Sequence, residues 1–114
     1  YRPDLRVKNR HSTTPVGPYI VDTATIPSPN NLTLRTWVNG ELRQEGTTAD
    51  MIFDVPFLIE YISSFMTLQA GDMIATGTPE GLSDVVAGDE VIVEIEGIGR
   101  LRNYIVSETE FFKN

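Results

Sequence analysis

The stretch that decides the fold is Leu32-Thr33-Leu34-Arg35-Thr36-Trp37-Val38-Asn39-Gly40-Glu41-Leu42-Arg43-Gln44-Glu45. Its first half, residues 32–38, repeats with a period of two, which is the side-chain period of a β-strand. Asn39-Gly40 is the strongest short hairpin signal, because both residue types tolerate the positive φ angles of a type I′ turn. The stretch therefore predicts a β-hairpin with strands at residues 32–38 and 41–45.

A second pair of strands is predicted near the end of the chain. Residues 90–96 alternate in the same way, with valine and isoleucine on one side. Gly97 to Gly99 then form a turn that leads into a strand predicted at residues 100–106. Two short apolar runs predict further strands at residues 19–21 and 73–76.

Between these strands the sequence predicts a short helical excursion at about residues 48–66. Thr47 or Thr48 suits the capping position of a first helix, and Pro56 suits the first turn of a second one. Together with the strands, this pattern predicts a mainly β, α+β protein. We expect a mixed, largely antiparallel β roll or sandwich with one or two short helices.

Length, composition and charge exclude several classes of protein. The chain has 114 residues, 40% of them hydrophobic, which allows at most one domain with one modest core. It has no cysteine, which excludes a disulfide scaffold and fits a reducing compartment. The net charge of −7 argues against a nucleic-acid partner, and no apolar run is long enough for a membrane span. We therefore expect a cytoplasmic protein that binds neither nucleic acid nor membrane.

Residues 67–81 end in Gly77-Thr78-Pro79-Glu80-Gly81, which is the most informative motif for function. A glycine lets a ligand approach the backbone, and a proline fixes the direction in which the chain leaves. Between them, Thr78 would offer both its hydroxyl and its backbone N–H to an anionic group. The alternative interpretation is a tight turn with a structural threonine.

In order and spacing, three blocks at residues 34–44, 67–81 and 88–101 resemble the fumarylacetoacetate hydrolase family. The likeness is strongest to the isomerase/decarboxylase branch that acts in 4-hydroxyphenylacetate (homoprotocatechuate) degradation, and the opening at residues 1–10 fits the same branch. The resemblance covers essentially the whole chain. It implies that residues 1–114 are the C-terminal part of a single catalytic domain of this family's β fold, without the N-terminal part that holds the metal ligands.

The resemblance also implies an activity. The expected enzyme is a metal-dependent isomerase and decarboxylase (lyase) of aromatic catabolism, acting on 2-oxo and 2-hydroxydienoic dicarboxylates through a metal-stabilised enolate. The implied reactions are isomerisation of 2-hydroxyhepta-2,4-diene-1,7-dioate and decarboxylation of 5-carboxymethyl-2-oxo-hex-3-ene-1,7-dioate. The expected cofactor is Mg²⁺ or Mn²⁺ with ligands upstream of this chain, so we expect the isolated chain to be inactive. The expected partners are a small dicarboxylate substrate and a second copy in a homodimer.

Four residues are expected at the substrate. The resemblance places Lys8 at an active-site lysine that precedes a Thr-Pro-X-Gly-Pro-like segment, so we expect Lys8 to be catalytic. Neighbouring arginines would disfavour its charged form and make it a usable proton shuttle. The resemblance also gives Thr78, together with Gly77, contact with the carboxylate or keto end. Arg10 is a further candidate, because a guanidinium can bind a distal carboxylate through two hydrogen bonds. Each residue also has a plain interpretation as a surface or turn residue.

Glu94, Glu96 and His11 are residue types that could bind a metal or titrate, and the family pattern bears on their roles. Glu94 and Glu96 stand at i and i+2 of a predicted strand and so face one side, an arrangement that suits a hard cation. The family's Glu-X-Glu metal ligands, however, come from the part that precedes this chain. We therefore interpret the pair as a solvated strand face, with Glu94 lining the pocket as a lesser alternative, and assign no metal ligand. His11 is either a titratable neighbour of Lys8 or a tolerated loop substitution.

Two other functions remain open from the sequence. One is a related chemistry, either hydrolysis of an acylpyruvate or another β-diketone, or decarboxylation of oxaloacetate. The other is a non-catalytic, β-rich binding or assembly module. A Glu-X-Glu pair followed by an aspartate upstream in the complete gene would favour the enzymes.

Overall fold

The computed structural model describes residue 6, residues 9–81 and residues 83–113, and it centres on a four-stranded antiparallel sheet. The strands lie in the spatial order β2-β1-β3-β4, and their bounds are β1 Thr33–Val38, β2 Glu41–Thr47, β3 Glu90–Ile95 and β4 Gly99–Tyr104. Helix α1 spans Val55–Ser63 and helix α2 spans Glu108–Phe111, with 3-10 turns at Thr23–Thr25 and Thr48–Asp50. The predicted fold class, a mainly β and largely antiparallel α+β protein, is confirmed.

The hairpin between β1 and β2 forms where the sequence predicts it. Asn39 and Gly40 have φ angles of 50° and 79°, as a type I′ turn requires. In the register Thr36 pairs with Gln44 but Trp37 pairs with Leu42, so β2 carries one extra residue between these pairs. A bulge of this kind increases the twist of the strand pair.

The side chain of Asn39 ties the hairpin turn to the turn that precedes β3. Its Nδ2 donates to Asp89 Oδ1 at 2.8 Å, and its Oδ1 accepts from the Glu90 backbone N–H at 2.9 Å. Asp89 Oδ2 also accepts from the Val86 backbone N–H at 2.9 Å. The hydrogen bonds from Val86 and Asn39 favour the charged carboxylate and lower the pKa of Asp89.

The two faces of the sheet differ in chemistry. One face, called here the charged face, carries ion pairs between neighbouring strands: Arg35 with Glu45, Arg100 with Glu94, and Arg102 with Glu90. The other face, called the apolar face, is built in β1, β3 and β4 mostly from aliphatic side chains, with Glu41, Gln44 and Gly46 contributed by β2. Its main members are Leu34, Thr36, Val38, Val91, Val93, Ile95 and Leu101. The buried hydrophobic residues of the described chain are Leu32, Val38 and Ile92.

Helix α1 begins as predicted and leaves much of its apolar surface exposed. Asp54 caps it by accepting from the Phe57 backbone N–H at 2.9 Å, and Pro56 occupies the first turn. Leu58 and Ile62 are half-buried. A row of exposed aromatic rings in successive contact runs from just before the helix to just after it: Phe53, Phe57, Tyr61 and Phe65. Within the described residues, no helix has the length and apolar character needed to span a membrane.

The strands predicted at residues 19–21 and 73–76 are wrong, because the structure forms no strand at either place. Residues 73–76 leave a turn in which the Asp72 backbone N–H donates to the Gln69 carbonyl and the Asp72 carboxylate accepts from the Gln69 N–H. A short apolar run does not reveal whether a neighbouring strand is available for pairing. β4 also ends at Tyr104 instead of residue 106, and it is followed by α2, which the sequence did not predict.

Residues 77–81 lie against β2 at very short range. A Cβ atom on Gly46 would stand 2.8 Å from Cβ of Pro79, and a Cβ atom on Gly81 would overlap the carbonyl oxygen of Arg43. Only glycine fits at these two positions without a shift of the neighbouring chain. Because Gly46 pairs with Leu34, the segment approaches the sheet on its apolar face.

We expect Gly81→Ala to lower the free energy of unfolding more than Gly88→Ala does. The φ angles of these glycines are +100° and +99°, so each alanine pays a similar backbone strain of roughly 1–3 kcal/mol. Only Gly81 adds an overlap with the Arg43 carbonyl, since a Cβ on Gly88 meets nothing within 4 Å. Chemical denaturation measures both variants. Equal losses would contradict the packing of residues 77–81 on β2.

The lowered pKa of Asp89 predicts a pH-dependent contribution to stability. A carboxyl group whose pKa is lower in the folded state stabilises the fold at pH values above its unfolded pKa, about 4 for aspartate. This contribution is lost as the pH falls through the folded pKa. Asp89→Asn should therefore unfold at a lower temperature than wild type near pH 7.

The difference between the two proteins should shrink in the acid range, where protonated aspartate and asparagine carry the same charge. Thermal unfolding from pH 2 to pH 7 measures this difference. If the unfolding temperatures of the two proteins differ by the same amount at every pH, the assignment is contradicted. In Asn39→Ala, which removes one donor, an NMR titration should find the pKa of Asp89 closer to its ordinary value.

Candidate functional site

The candidate site lies where the Gly77-Thr78-Pro79 segment crosses β2. Gln44 of β2 is half-buried, and its Nε2 donates to Thr78 Oγ1 at 2.9 Å and to the Pro79 carbonyl oxygen at 2.8 Å. These two hydrogen bonds fix the loop to the sheet through one side chain. Thr78 itself is exposed, so its position is held while its hydroxyl stays accessible to a ligand.

Gly77 keeps the approach to Thr78 open. Its φ angle is +93°, a conformation that residues with a side chain rarely adopt, and a Cβ there would meet nothing within 4 Å. A ligand can therefore come close to the backbone beside the Thr78 hydroxyl. This placement fits the predicted role of Gly77 and Thr78, which stays a prediction.

Arg10, the other predicted substrate-binding residue, lies at the opposite edge of the sheet. Its Nη2 donates to Glu108 Oε2 of α2 at 3.2 Å, an exposed ion pair. Arg10 lines a cleft of about 600 Å³ between residues 10–15 and residues 103–112, which run from the end of β4 through α2. Three strand spacings, about 14 Å, separate the β2 and β4 edges. The structure therefore does not bring Arg10 and Thr78 together.

Lys8, the predicted catalytic residue, lies outside the described residues, but the segment that follows it reaches the apolar face. The Tyr19 ring comes within 3.3 Å of the position that a Cβ on Gly99 would take. Gly99 pairs with Ile95, Ile95 with Leu34, and Leu34 with Gly46, which lies against Pro79. Tyr19 and Pro79 thus lie at the two ends of one row across this face.

Glu94 and Glu96 have protein partners away from the candidate site. Glu94 Oε2 lies 3.0 Å from Arg100 Nη2, and Glu96 Oε2 accepts from the Thr33 backbone N–H at 3.4 Å. Glu94 pairs with Arg35, whereas Gln44 pairs with Thr36, so Glu94 and the Thr78 loop lie on opposite faces. Within residues 9–81 and 83–113, no group of three or more His, Cys, Asp or Glu side chains could hold a metal ion. The described residues therefore do not fit a metal centre.

His11 lies in the cleft beside Arg10. Its ring meets the ring of Phe112 edge-on, with centroids 5.7 Å apart. The side chain is exposed, and this contact joins the segment after Lys8 to the end of the chain. A packing contact with Phe112 fits the interpretation of His11 as a tolerated loop residue.

Gln44 is the site residue that sequence analysis missed. It belongs to one of the three family blocks, but nothing in the sequence assigns it a partner. A usable signal was Gly46, since a glycine beside a predicted strand indicates that another part of the chain comes close there. The side chain two residues earlier points to the same face and therefore toward the same approaching segment.

Relatives of known sequence match nearly the whole chain. Residues 1–106 match the family model described as fumarylacetoacetate (FAA) hydrolase C-terminal. The 4-hydroxyphenylacetate degradation bifunctional isomerase/decarboxylase of Salmonella dublin is 71% identical over 108 residues, which are 95% of this chain and 25% of that protein. The chain thus spans about a quarter of the length of this curated relative.

Solved structures of relatives share the fold. The 2-hydroxyhepta-2,4-diene-1,7-dioate isomerase from Mycobacterium marinum has a TM-score of 0.84 and 47% identity, covering 90% of this chain and 40% of that one. The maleylpyruvate hydrolase from Sphingobium sp. SYK-6, solved in complex with manganese(II) ion and pyruvate, has a TM-score of 0.79 and 43% identity, covering 81% of this chain and 35% of that one. Sequence and structure agree with the motif blocks, and the chain belongs to the fumarylacetoacetate hydrolase family.

Proposed function

We propose that the complete protein containing this chain is an isomerase/decarboxylase that acts on 2-oxo and 2-hydroxydienoic dicarboxylates. The observation that carries this proposal is the 71% identity to the bifunctional isomerase/decarboxylase of Salmonella dublin, over 95% of the chain. Similarity to a solved dioate isomerase supports the same substrate class. The proposed reactions are isomerisation of 2-hydroxyhepta-2,4-diene-1,7-dioate and decarboxylation of 5-carboxymethyl-2-oxo-hex-3-ene-1,7-dioate.

Residues 1–114 are, in this proposal, the C-terminal part of a catalytic domain whose metal ligands lie elsewhere in the complete protein. The relative solved with manganese(II) and pyruvate supports a divalent metal, Mg²⁺ or Mn²⁺. When bound, such a metal supplies a Lewis acid for a 2-oxo acid. The absence of a donor cluster among the described residues is the reason for seeking its ligands outside them. Homodimer formation and a cytoplasmic location stay predictions.

The residues of this chain bind and orient the substrate in this proposal. Thr78 and Gly77 take the carboxylate or keto end, where the exposed hydroxyl and the open backbone accommodate an oxygen atom. Lys8 holds positive charge beside the enolate that both reactions form, and it moves a proton to or from that enolate. Arg10 takes a distal carboxylate, for which it must leave Glu108 and approach Thr78 from the opposite edge of the sheet.

A second candidate function is hydrolysis of an acylpyruvate. The observation that favours it is the similarity to a maleylpyruvate hydrolase at 43% identity. The two chemistries differ in whether a water molecule is positioned to attack the substrate. Described residues of this chain do not distinguish them, because the water-activating group would belong to another part of the protein.

The complete protein, loaded with Mg²⁺ or Mn²⁺, tests the proposal directly. We expect release of CO₂ from the carboxymethyl-oxo-hexenedioate and an ultraviolet absorbance change from the hydroxyheptadienedioate. Turnover of acylpyruvates alone would favour the second candidate. Turnover of neither class would contradict both candidate functions.

Lys8→Ala in the complete protein should lower kcat far more than it lowers stability. Removing a group that moves a proton in the transition state costs about 10²- to 10⁴-fold in rate. Lys8→Arg keeps the charge but not the proton transfer and should recover little activity. Lys113→Ala is the matched control, because Lys113 is the other lysine of this chain. Steady-state kinetics measures all three variants, and wild-type kcat in Lys8→Ala would exclude the assignment.

Thr78→Ala should chiefly raise KM. The loss of one hydrogen bond to a charged ligand group corresponds to about 1–3 kcal/mol. Thr78→Ser retains the hydroxyl and should stay close to wild type, which separates the hydrogen bond from the packing of the methyl group. A variant series in which KM follows side-chain size instead of the hydroxyl would contradict the assignment.

A further inference from the structure

We propose that Gln44 is a positioning residue that sets the direction of the Thr78 hydroxyl proton, so that Thr78 donates a hydrogen bond to an oxygen atom of the substrate. This inference rests on the proposed function, because it takes Thr78 to be in contact with the carboxylate or keto end. It adds a residue that acts through Thr78 and does not itself touch the substrate.

The Pro79 carbonyl fixes which end of the Gln44 amide faces the loop. A carbonyl oxygen can only accept, so the group 2.8 Å from it must be the NH₂ of Gln44. The same Nε2 lies 2.9 Å from Thr78 Oγ1. An amide NH₂ has two hydrogens, and these two oxygens take both of them. Thr78 Oγ1 is therefore an acceptor in this contact.

The remaining proton of Thr78 is then available for a ligand. A threonine hydroxyl has one proton and two lone pairs, and the proton cannot point at the amide hydrogen that the oxygen already accepts. It is left for an acceptor on the exposed side of the loop. A ligand oxygen that accepts, such as a carboxylate or an enolate, is favoured there, and a ligand N–H is disfavoured.

The surroundings of Gln44 hold the amide in this arrangement. Gln44 pairs with Thr36 in β1, and its Cγ would lie 3.4 Å from a Cβ on Gly81, so it is enclosed between the strand and the loop. The next pair along the two strands, Arg35 and Glu45, forms an ion pair on the opposite, charged face. The selectivity at Thr78 therefore comes from oriented dipoles held in place by β2.

The test replaces the hydrogen-bond donor at residue 44 with an acceptor in the complete, metal-loaded protein. In Gln44→Glu a carboxylate without protons faces Thr78, so the hydroxyl proton turns toward it and a lone pair faces the ligand. We expect KM for the dicarboxylate and the dissociation constant of oxalate, measured by calorimetry, to rise about tenfold or more, with a smaller change in kcat. Gln44→Met, which has no donor and leaves the hydroxyl free to rotate, should raise both by about threefold. Gln69→Glu makes the same charge change at an exposed side chain in the turn closed by Asp72, and it should match wild type.

A double-mutant cycle with Thr78→Val distinguishes positioning from a merely structural effect. If Gln44 acts through the hydroxyl, Gln44→Glu and Gln44→Met should each add little to the loss already caused by Thr78→Val. Equal effects of the Gln44 changes with and without the hydroxyl would overturn the proposal, as would wild-type oxalate binding in Gln44→Glu. Should Gln44→Glu fail to fold by circular dichroism, the Gln44→Met cycle decides alone.

Failure of the proposed function gives a different result. In that case the wild-type complete protein shows neither turnover nor oxalate binding, and both proposals fall together. Normal turnover and oxalate binding in wild type, combined with unchanged values in both Gln44 variants, overturns only the role of Gln44.

Discussion

The close approach of residues 77–81 to β2 is the constraint on which the candidate site depends. If residues 77–81 formed a strand beside β2, a ladder of backbone hydrogen bonds would hold them in place. Here the Gln44 amide and two glycines allow the close approach instead. Gly46 and Gly81 remove the side chains that would keep the two segments apart. Gln44 donates hydrogen bonds to both Thr78 and Pro79, so Thr78 has a defined position although its side chain is exposed.

The division of the sheet into two faces explains how the proposed carboxylate site is compatible with an acidic chain. Carboxylates of Glu45, Glu90 and Glu94 are paired with arginines on the charged face. These exposed pairs contribute little to stability, since water screens them. Their effect is to keep ionised side chains of the central strands away from the face over which Thr78 lies. The net charge of −7 is thus compatible with local binding of a carboxylate.

Features with local causes could be predicted from the sequence, and those that depend on distant contacts could not. The hairpin at Asn39-Gly40 and the Pro56 start of α1 follow from the conformations of a few adjacent residues. The false strand at 73–76 shows the limit, because pairing depends on where another strand lies. Gln44 was missed for the same reason: its partners are 34 and 35 positions away in the chain. The separation of Arg10 from Thr78 likewise follows from strand order, which no local pattern contains.

The exposure of Thr78 bears on how strong its hydrogen bonds can be. In contact with water, a bond such as that from Gln44 contributes little net free energy, because water competes for both groups. When a bound ligand or another part of the complete protein covers the apolar face, the same bond acts in a medium of lower polarity and strengthens. Val38 is the buried strand residue of this face, and its other aliphatic members are only half-buried, so most of this face has surface left to cover. The orienting effect of Gln44 should therefore be weak in the open site and strongest once substrate excludes water from it.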